Sequence, residues 1–178
     1  MNERPIVLQS TPIFDGKIFS VRTDRVAGTD GDTHDLDIVT HPGSVAVLAI
    51  PEPRKFVLVR QYRHAVGASL WEIPAGLIDP CESVAAAARR ELLEETGFTA
   101  QTIREVAAVY VTPGFCDEFL HLFVADGLRP GEQRLDADER IEVRIVDADS
   151  AWEMYEAGDL RDAKTLLALF WLRCAASQ

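Results

Sequence analysis

Gly76-Leu77-Ile78-Asp79-Pro80-Cys81-Glu82, seven residues further on followed by Arg90-Glu91-Leu92-Leu93-Glu94-Glu95-Thr96-Gly97-Phe98, is the stretch on which the fold turns. A loop bearing a glycine and an acid runs into a helix whose last turns carry Glu91, Glu94 and Glu95. Offsets of three and four residues put those carboxylates on one helical face. Asp79 or Ser83 is an acceptable N-cap, and Asp79-Pro80-Cys81-Glu82 has the form of a capping box with proline at the first position. Gly97 predicts a left-handed C-cap.

An acidic helical face has an ordinary explanation. Like charges at these offsets destabilise an exposed helix by only about 0.2–0.5 kcal/mol per pair, so a solvated acidic face is common. The surroundings argue for more, because Gly76, Glu82, Arg90 and Gly97 stand at fixed places around the acids. A hard divalent cation such as Mg²⁺ takes several oxygen ligands and accepts waters and substrate phosphates in its remaining positions. A tight group of helical carboxylates supplies part of that shell.

Written as G-x5-E-x7-R-E-L-L-E-E-T-G-F, these residues resemble the Nudix hydrolase box at every defined position. The resemblance implies the Nudix fold, a mixed α+β architecture in which a mixed sheet is held between helices. It also implies hydrolysis of a nucleoside diphosphate linked to another group, with Mg²⁺ or Mn²⁺ as cofactor. Glu91 and Glu95 would then bind metal directly, with Glu94 binding or positioning a further ion and the Ala75 carbonyl as another ligand. Gly76 suits a loop that passes close to metal and phosphate. Glu82 and Arg90 would hold the acids through charge-assisted hydrogen bonds, with purely structural ion pairing as the competing reading. Glu139, in Asp136-Ala137-Asp138-Glu139, lies where relatives that cleave ADP-ribose often place the base or a further metal contact. A solvated acidic loop is the competing reading, and relatives often carry another acid where this chain has Ala137.

Length and composition bound the rest. With 178 residues, the chain has room for one domain with an extension. A hydrophobic content of 47% and 26% charged residues mark a globular protein. The net charge of −11 argues against a nucleic-acid binder, which presents clustered Lys and Arg. Cys81, Cys116 and Cys174 have neither disulfide-framework nor metal-site spacing. No leader is evident and no apolar run reaches about 18 residues, so no membrane partner and a cytoplasmic location are expected. His34, His41, His64 and His121 are scattered, and no Ser-His or Cys-His arrangement lies in the box.

Along the chain, Ile6 to Thr40 predicts three strands separated by Asp15-Gly16 and the turn from Gly28 to Asp32. We expect residues 1–42 to form an amino-terminal antiparallel strand extension and residues 43–178 to form the Nudix hydrolase domain. Strands are expected at Ser44–Ile50, Phe56–Gln61, Trp71–Pro74, Arg104–Val111, Leu120–Val124 and Ile141–Val146, with a long polar loop from Gly127 to Arg140. Two helices close the chain, and in the second Leu166, Leu167, Phe170, Trp171 and Cys174 suggest the buried stripe.

Beyond the box, Trp71-Glu72-Ile73-Pro74-Ala75-Gly76-Leu77-Ile78-Asp79 and Thr112-Pro113-Gly114-Phe115-Cys116-Asp117-Glu118 resemble the ADP-ribose pyrophosphatase subgroup. That likeness implies a homodimer with a swapped amino-terminal strand unit and substrate contacts from Pro113 and Phe115; Glu118 is a candidate substrate contact, with a surface ion pair as the alternative. Arg63 is a candidate diphosphate contact because its fork of donors suits phosphate oxygens, with a surface ion pair as the alternative. Phe19 is a candidate adenine-stacking ring, with core packing as the alternative. Asp37, Ile38 and Val39 stand where relatives often carry a basic residue, which keeps other nucleoside diphosphate sugars such as GDP-mannose open. A noncatalytic nucleotide sensor on the same fold is the reading from another class; every box acid is present against it.

Overall fold

In a computed structural model of the chain, residues 5–28, 31–135 and 140–175 are described. Thr29, Asp30 and the segment Asp136-Ala137-Asp138-Glu139 lie outside them, so the expected base Glu139 is outside the described residues. Two compact units emerge: Met1–Gly43 with Val109–Leu120, and Ser44–Ala108 with His121–Gln178.

The first unit is built on an antiparallel sheet of β1 (Ile6–Asp15), β2 (Ser20–Ala27) and β3 (Thr33–Thr40), in the order β1-β2-β3. Asp15 and Gly16 begin the first turn, which closes with the Gly16 N–H donating to the Phe19 carbonyl at 3.1 Å. The segment 109–120 is pinned to β3 by backbone bonds from Val39 N to Phe115 O (2.8 Å) and from Asp117 N to Val39 O (3.2 Å). The Asp117 carboxylate also accepts from the His41 amide at 2.7 Å. Every residue of β1 is exposed, including Ile6, Val7, Leu8, Ile13 and Phe14.

The second unit carries β4 (Ser44–Ile50), β5 (Lys55–Arg63), β6 (Ala68–Glu72), β7 (Ala75–Leu77), α1 (Val84–Thr96), most of β8 (Phe98–Tyr110) and β9 (Phe119–Pro130), β10 (Ile141–Asp147), α2 (Ala148–Glu156) and α3 (Ala163–Ala175). One sheet runs β7-β4-β9-β8 and the other β10-β5-β6. The apolar run of β4 is buried on both faces, as a central strand requires. Because strand side chains alternate, Val45, Val47 and Ala49 share one face and meet Ala87, Ala88 and Leu92 of α1 together with Val57, Phe123 and Ala125. That packing fixes the acidic helix: burying a side chain such as Leu92 contributes about 1.5–3 kcal/mol. The architecture is the mixed α+β arrangement expected from the sequence. Among the described residues no helix is long and apolar enough to cross a membrane.

Three expectations need correction. Trp71–Pro74 is not one strand: β6 ends at Glu72 and β7 resumes at Ala75, because Pro74 has no N–H for a ladder. β9 continues to Pro130, passing Gly127 at φ +64°, so the polar loop begins later than expected. The stripe of α3 is misphased, since Thr165, Ala168 and Leu169 are buried whereas Phe170 and Cys174 are exposed. A helix reading Ala-Lys-Thr-Leu-Leu-Ala-Leu-Phe-Trp-Leu is apolar nearly all round, and periodicity cannot choose its inner face.

Candidate active site

Ser83 is the N-cap of α1; its hydroxyl accepts from the Ala86 amide at 3.2 Å. Asp79 makes instead the preceding turn, its carbonyl accepting from Glu82 N at 3.1 Å. Gly97 closes the helix at φ +71° with its N–H donating to Leu93 O. Both ends are thus fixed, and the acids on the last two turns are held in register with the Gly76 loop.

Gly76 faces Glu91 directly. A Cβ built on Gly76 would overlap the Glu91 carboxylate where it now stands, so any side chain there has to push that group aside. One residue earlier, the Ala75 amide donates to Glu95 Oε2 at 3.0 Å, and the Glu95 side chain is buried. β7 therefore lies along α1, with one acid against Gly76 and another tied to the neighbouring backbone.

Arg90 gathers the remaining groups. Its Nη1 donates to Glu91 Oε1 at 2.6 Å and to Glu94 Oε2 at 3.1 Å. Its Nη2 donates to Glu82 Oε2 and to the Leu77 carbonyl, both at 2.9 Å. These hydrogen bonds, that to Glu82 foremost, hold the guanidinium charged and raise its pKa, while Arg90 keeps the Glu82 carboxyl below its ordinary range. Charge-assisted bonds of this kind are about twice as strong as neutral ones. One cation thereby draws three carboxylates close together.

The described start of the loop after β9 runs along the end of α1. Gly131 N donates to Gly97 O, Arg134 N to Glu94 O, and the Gln133 side-chain amide to Glu95 O. These bonds satisfy carbonyls that a helix C-terminus leaves without partners.

Among the described residues, no three His, Cys, Asp or Glu side chains form a ready-made metal cage. Arg90 and the Ala75 amide hold the oxygens instead. The donor chemistry still fits a hard cation, since Mg²⁺ is usually bound by one or two carboxylates together with waters and phosphates. Glu91, Glu95 and Glu94, with the backbone at Ala75, are the groups that could hold it.

Arg63 is not a plain surface ion pair. Its Nε and Nη2 each donate at 2.8 Å to the two oxygens of Glu72, a carboxylate only 2% exposed. The Glu72 bonds raise the Arg63 pKa, and the charges of Glu95 and Asp162 add to this. Burial pushes the Glu72 carboxyl up, but Arg63 and Lys164 outweigh it and hold the group below its usual range. Neither Glu72 nor Lys164 was among the candidates drawn from the sequence. For Glu72 a lone acid in an apolar run was the available signal; Lys164 offered none.

Phe19, Pro113, Phe115 and Glu118 belong to the first unit. Phe19 is exposed and pairs with Phe14 at 5.8 Å between centroids, so it is not core packing within this chain. Pro113 and Phe115 lie on the 109–120 segment, where Phe115 is exposed, and the Glu118 amide donates to Cys116 Sγ at 3.4 Å.

A family model described as the NUDIX domain matches residues 40–169. An ADP-ribose pyrophosphatase of Bacillus subtilis (strain 168) is 39% identical over 163 residues, covering 90% of this chain and 88% of the relative. A methanol dehydrogenase activator of Bacillus methanolicus is 36% identical over 168 residues, covering 93% and 91%. The crystal structure of an ADP compounds hydrolase superposes with a TM-score of 0.84 at 25% identity, covering 96% of this chain and 93% of that one.

Proposed function

This chain belongs to the Nudix family, and on that premise we propose that it is a pyrophosphohydrolase of nucleoside diphosphate sugars that takes ADP-ribose to AMP and ribose 5-phosphate. The observation that carries the reading is the interlock of Gly76 with Glu91, Ala75 with Glu95, and Arg90 with Glu82, Glu91 and Glu94. The Bacillus subtilis relative is named for ADP-ribose and the superposed hydrolase for ADP compounds, which favours an ADP-linked substrate.

Nudix hydrolases depend on a divalent metal, and we take it to be Mg²⁺, held by Glu91, Glu95 and Glu94 with the Ala75 carbonyl. When bound, such an ion lowers the pKa of water and neutralises charge on phosphate oxygens. The chain's own part is positional and electrostatic. Arg90 and Glu82 hold the acids oriented; Gly76 admits the Glu91 carboxylate; Arg63 offers its remaining donors to the diphosphate. Glu139 is proposed to take the proton of the attacking water. On the first unit, Phe19, Pro113, Phe115 and Glu118 are proposed to contact the nucleotide.

The apolar β1 supports the proposal of a homodimer. An exposed set of Ile6, Val7, Leu8, Ile13 and Phe14 on one strand is the kind of surface that a second copy covers.

A panel of ADP-ribose, GDP-mannose, UDP-glucose and NADH, scored for nucleoside monophosphate release with Mg²⁺ present, tests the function. ADP-ribose is expected to show the highest kcat/KM. Another compound ranking well above it would transfer the assignment to that substrate, and no turnover of any would reject hydrolysis.

A further inference from the structure

The amino-terminal end of α3 is wired into the strand that delivers the active-site loop. Asp162 caps it: Oδ2 accepts from Thr165 N at 3.0 Å and from Thr165 Oγ1 at 2.6 Å. Thr165, fully buried, accepts in turn from Ile73 N at 2.8 Å. That N–H sits where β6 has stopped and β7 has not begun, and it would be orphaned without this hydroxyl. Lys164, the residue before Thr165, donates from Nζ to Glu72 Oε2 and to Asp162 Oδ1.

Glu72 therefore has a cation on each side. Both of its oxygens accept from the Arg63 fork, and one also accepts from Lys164. Two acids, Glu72 and Asp162, balance two bases, Arg63 and Lys164, in a part-buried cluster. The bidentate pair fixes the plane of the guanidinium. Among the described residues the Arg63 side chain donates from Nε and Nη2 and finds no acceptor for Nη1, and it is 39% exposed. A guanidinium held by two nitrogens and open at the third is set to receive a planar or tetrahedral oxyanion.

We propose that Lys164 is a positioning residue for the hydrolysis, acting through Glu72 to aim the Arg63 guanidinium at the substrate diphosphate. The inference rests on the pyrophosphohydrolase reading. Lys164 touches no reacting atom. Its charge keeps Glu72 from being pulled out of line towards Arg63 alone, and its place beside Thr165 ties that charge to the Ile73–Ala75 segment. Misplacing a binding group by about 1 Å can lower a rate by about 100-fold, so an indirect effect of this kind is measurable.

The test is a double-mutant cycle on the full chain with K164M, R63M and K164M/R63M, with K164R as the conservative control. For ADP-ribose, or the best substrate of the panel, K164M should lower kcat/KM by about tenfold or more, and K164R should recover most of the loss. With Arg63 already removed, adding K164M should cost less than about twofold more, because the two residues act as one unit. K164M and K164R should melt within about 4 °C of the parent because Arg63 still pairs Glu72, whereas the double variant strands a buried carboxylate and should melt lower by more than that, so all rates are compared well below its midpoint. Equal losses from K164M in both Arg63 backgrounds, or a large melting shift with kcat/KM intact, would show a merely structural lysine and overturn the inference alone. A parent enzyme inert on every nucleoside diphosphate sugar would overturn the functional reading and this inference with it.

Discussion

Gly76 and Glu91 occupy adjoining space: the position a Cβ would take on Gly76 is filled by the Glu91 carboxylate. Gly76 does not need a positive φ, so its requirement is for room and not for backbone freedom. Alanine there should fold, with Glu91 pushed out of line. Overpacking of this sort costs about 1–3 kcal/mol, and the G76A melting temperature should fall by no more than about 10 °C. Turnover should fall by about 100-fold or more. Calorimetry and steady-state kinetics on one preparation check both, and activity within about threefold of the parent contradicts the role given to Glu91.

The exposed apolar strand β1 carries the oligomeric prediction. Light scattering should give a particle near twice the 19.7 kDa chain mass, and a charge placed on that strand, F14D, should shift the population towards the monomer. A parent particle near the single-chain mass would remove the dimer from the account.

Glu139 rests on resemblance, and kinetics can decide it. General-base catalysis contributes about 10²–10⁴-fold, so E139Q should lower kcat by about 100-fold or more while the melting temperature holds. A loss under about threefold would reject the base, and attention would move to the neighbouring acids in the sequence, Asp136 and Asp138.

Where the sequence was informative, local chemistry was the reason. Ser83, Gly97 and the offsets of Glu91, Glu94 and Glu95 state a capped acidic helix in residues that act within one or two turns of one another. Arg90 reaches Glu82 across eight positions, and it was the resemblance to the Nudix box that set both beside the acids. Contacts made across the fold were not legible. Thr165 meets Ile73 across 92 positions, and Lys164 meets Glu72 across the same span. The break between β6 and β7 leaves an amide that this distant hydroxyl satisfies, so reading Trp71–Pro74 locally gave one strand. The inner face of α3 was likewise set by what it packs on, not by a pattern of its own.

The assignment of Glu91 and Glu95 as ligands of a divalent ion is decided by Mn²⁺ binding followed by electron paramagnetic resonance. The parent should retain bound Mn²⁺, and E91Q/E95Q should lose it along with at least about 100-fold of the hydrolysis rate, while folding as before. Unchanged Mn²⁺ affinity and unchanged turnover in the folded double variant would contradict it.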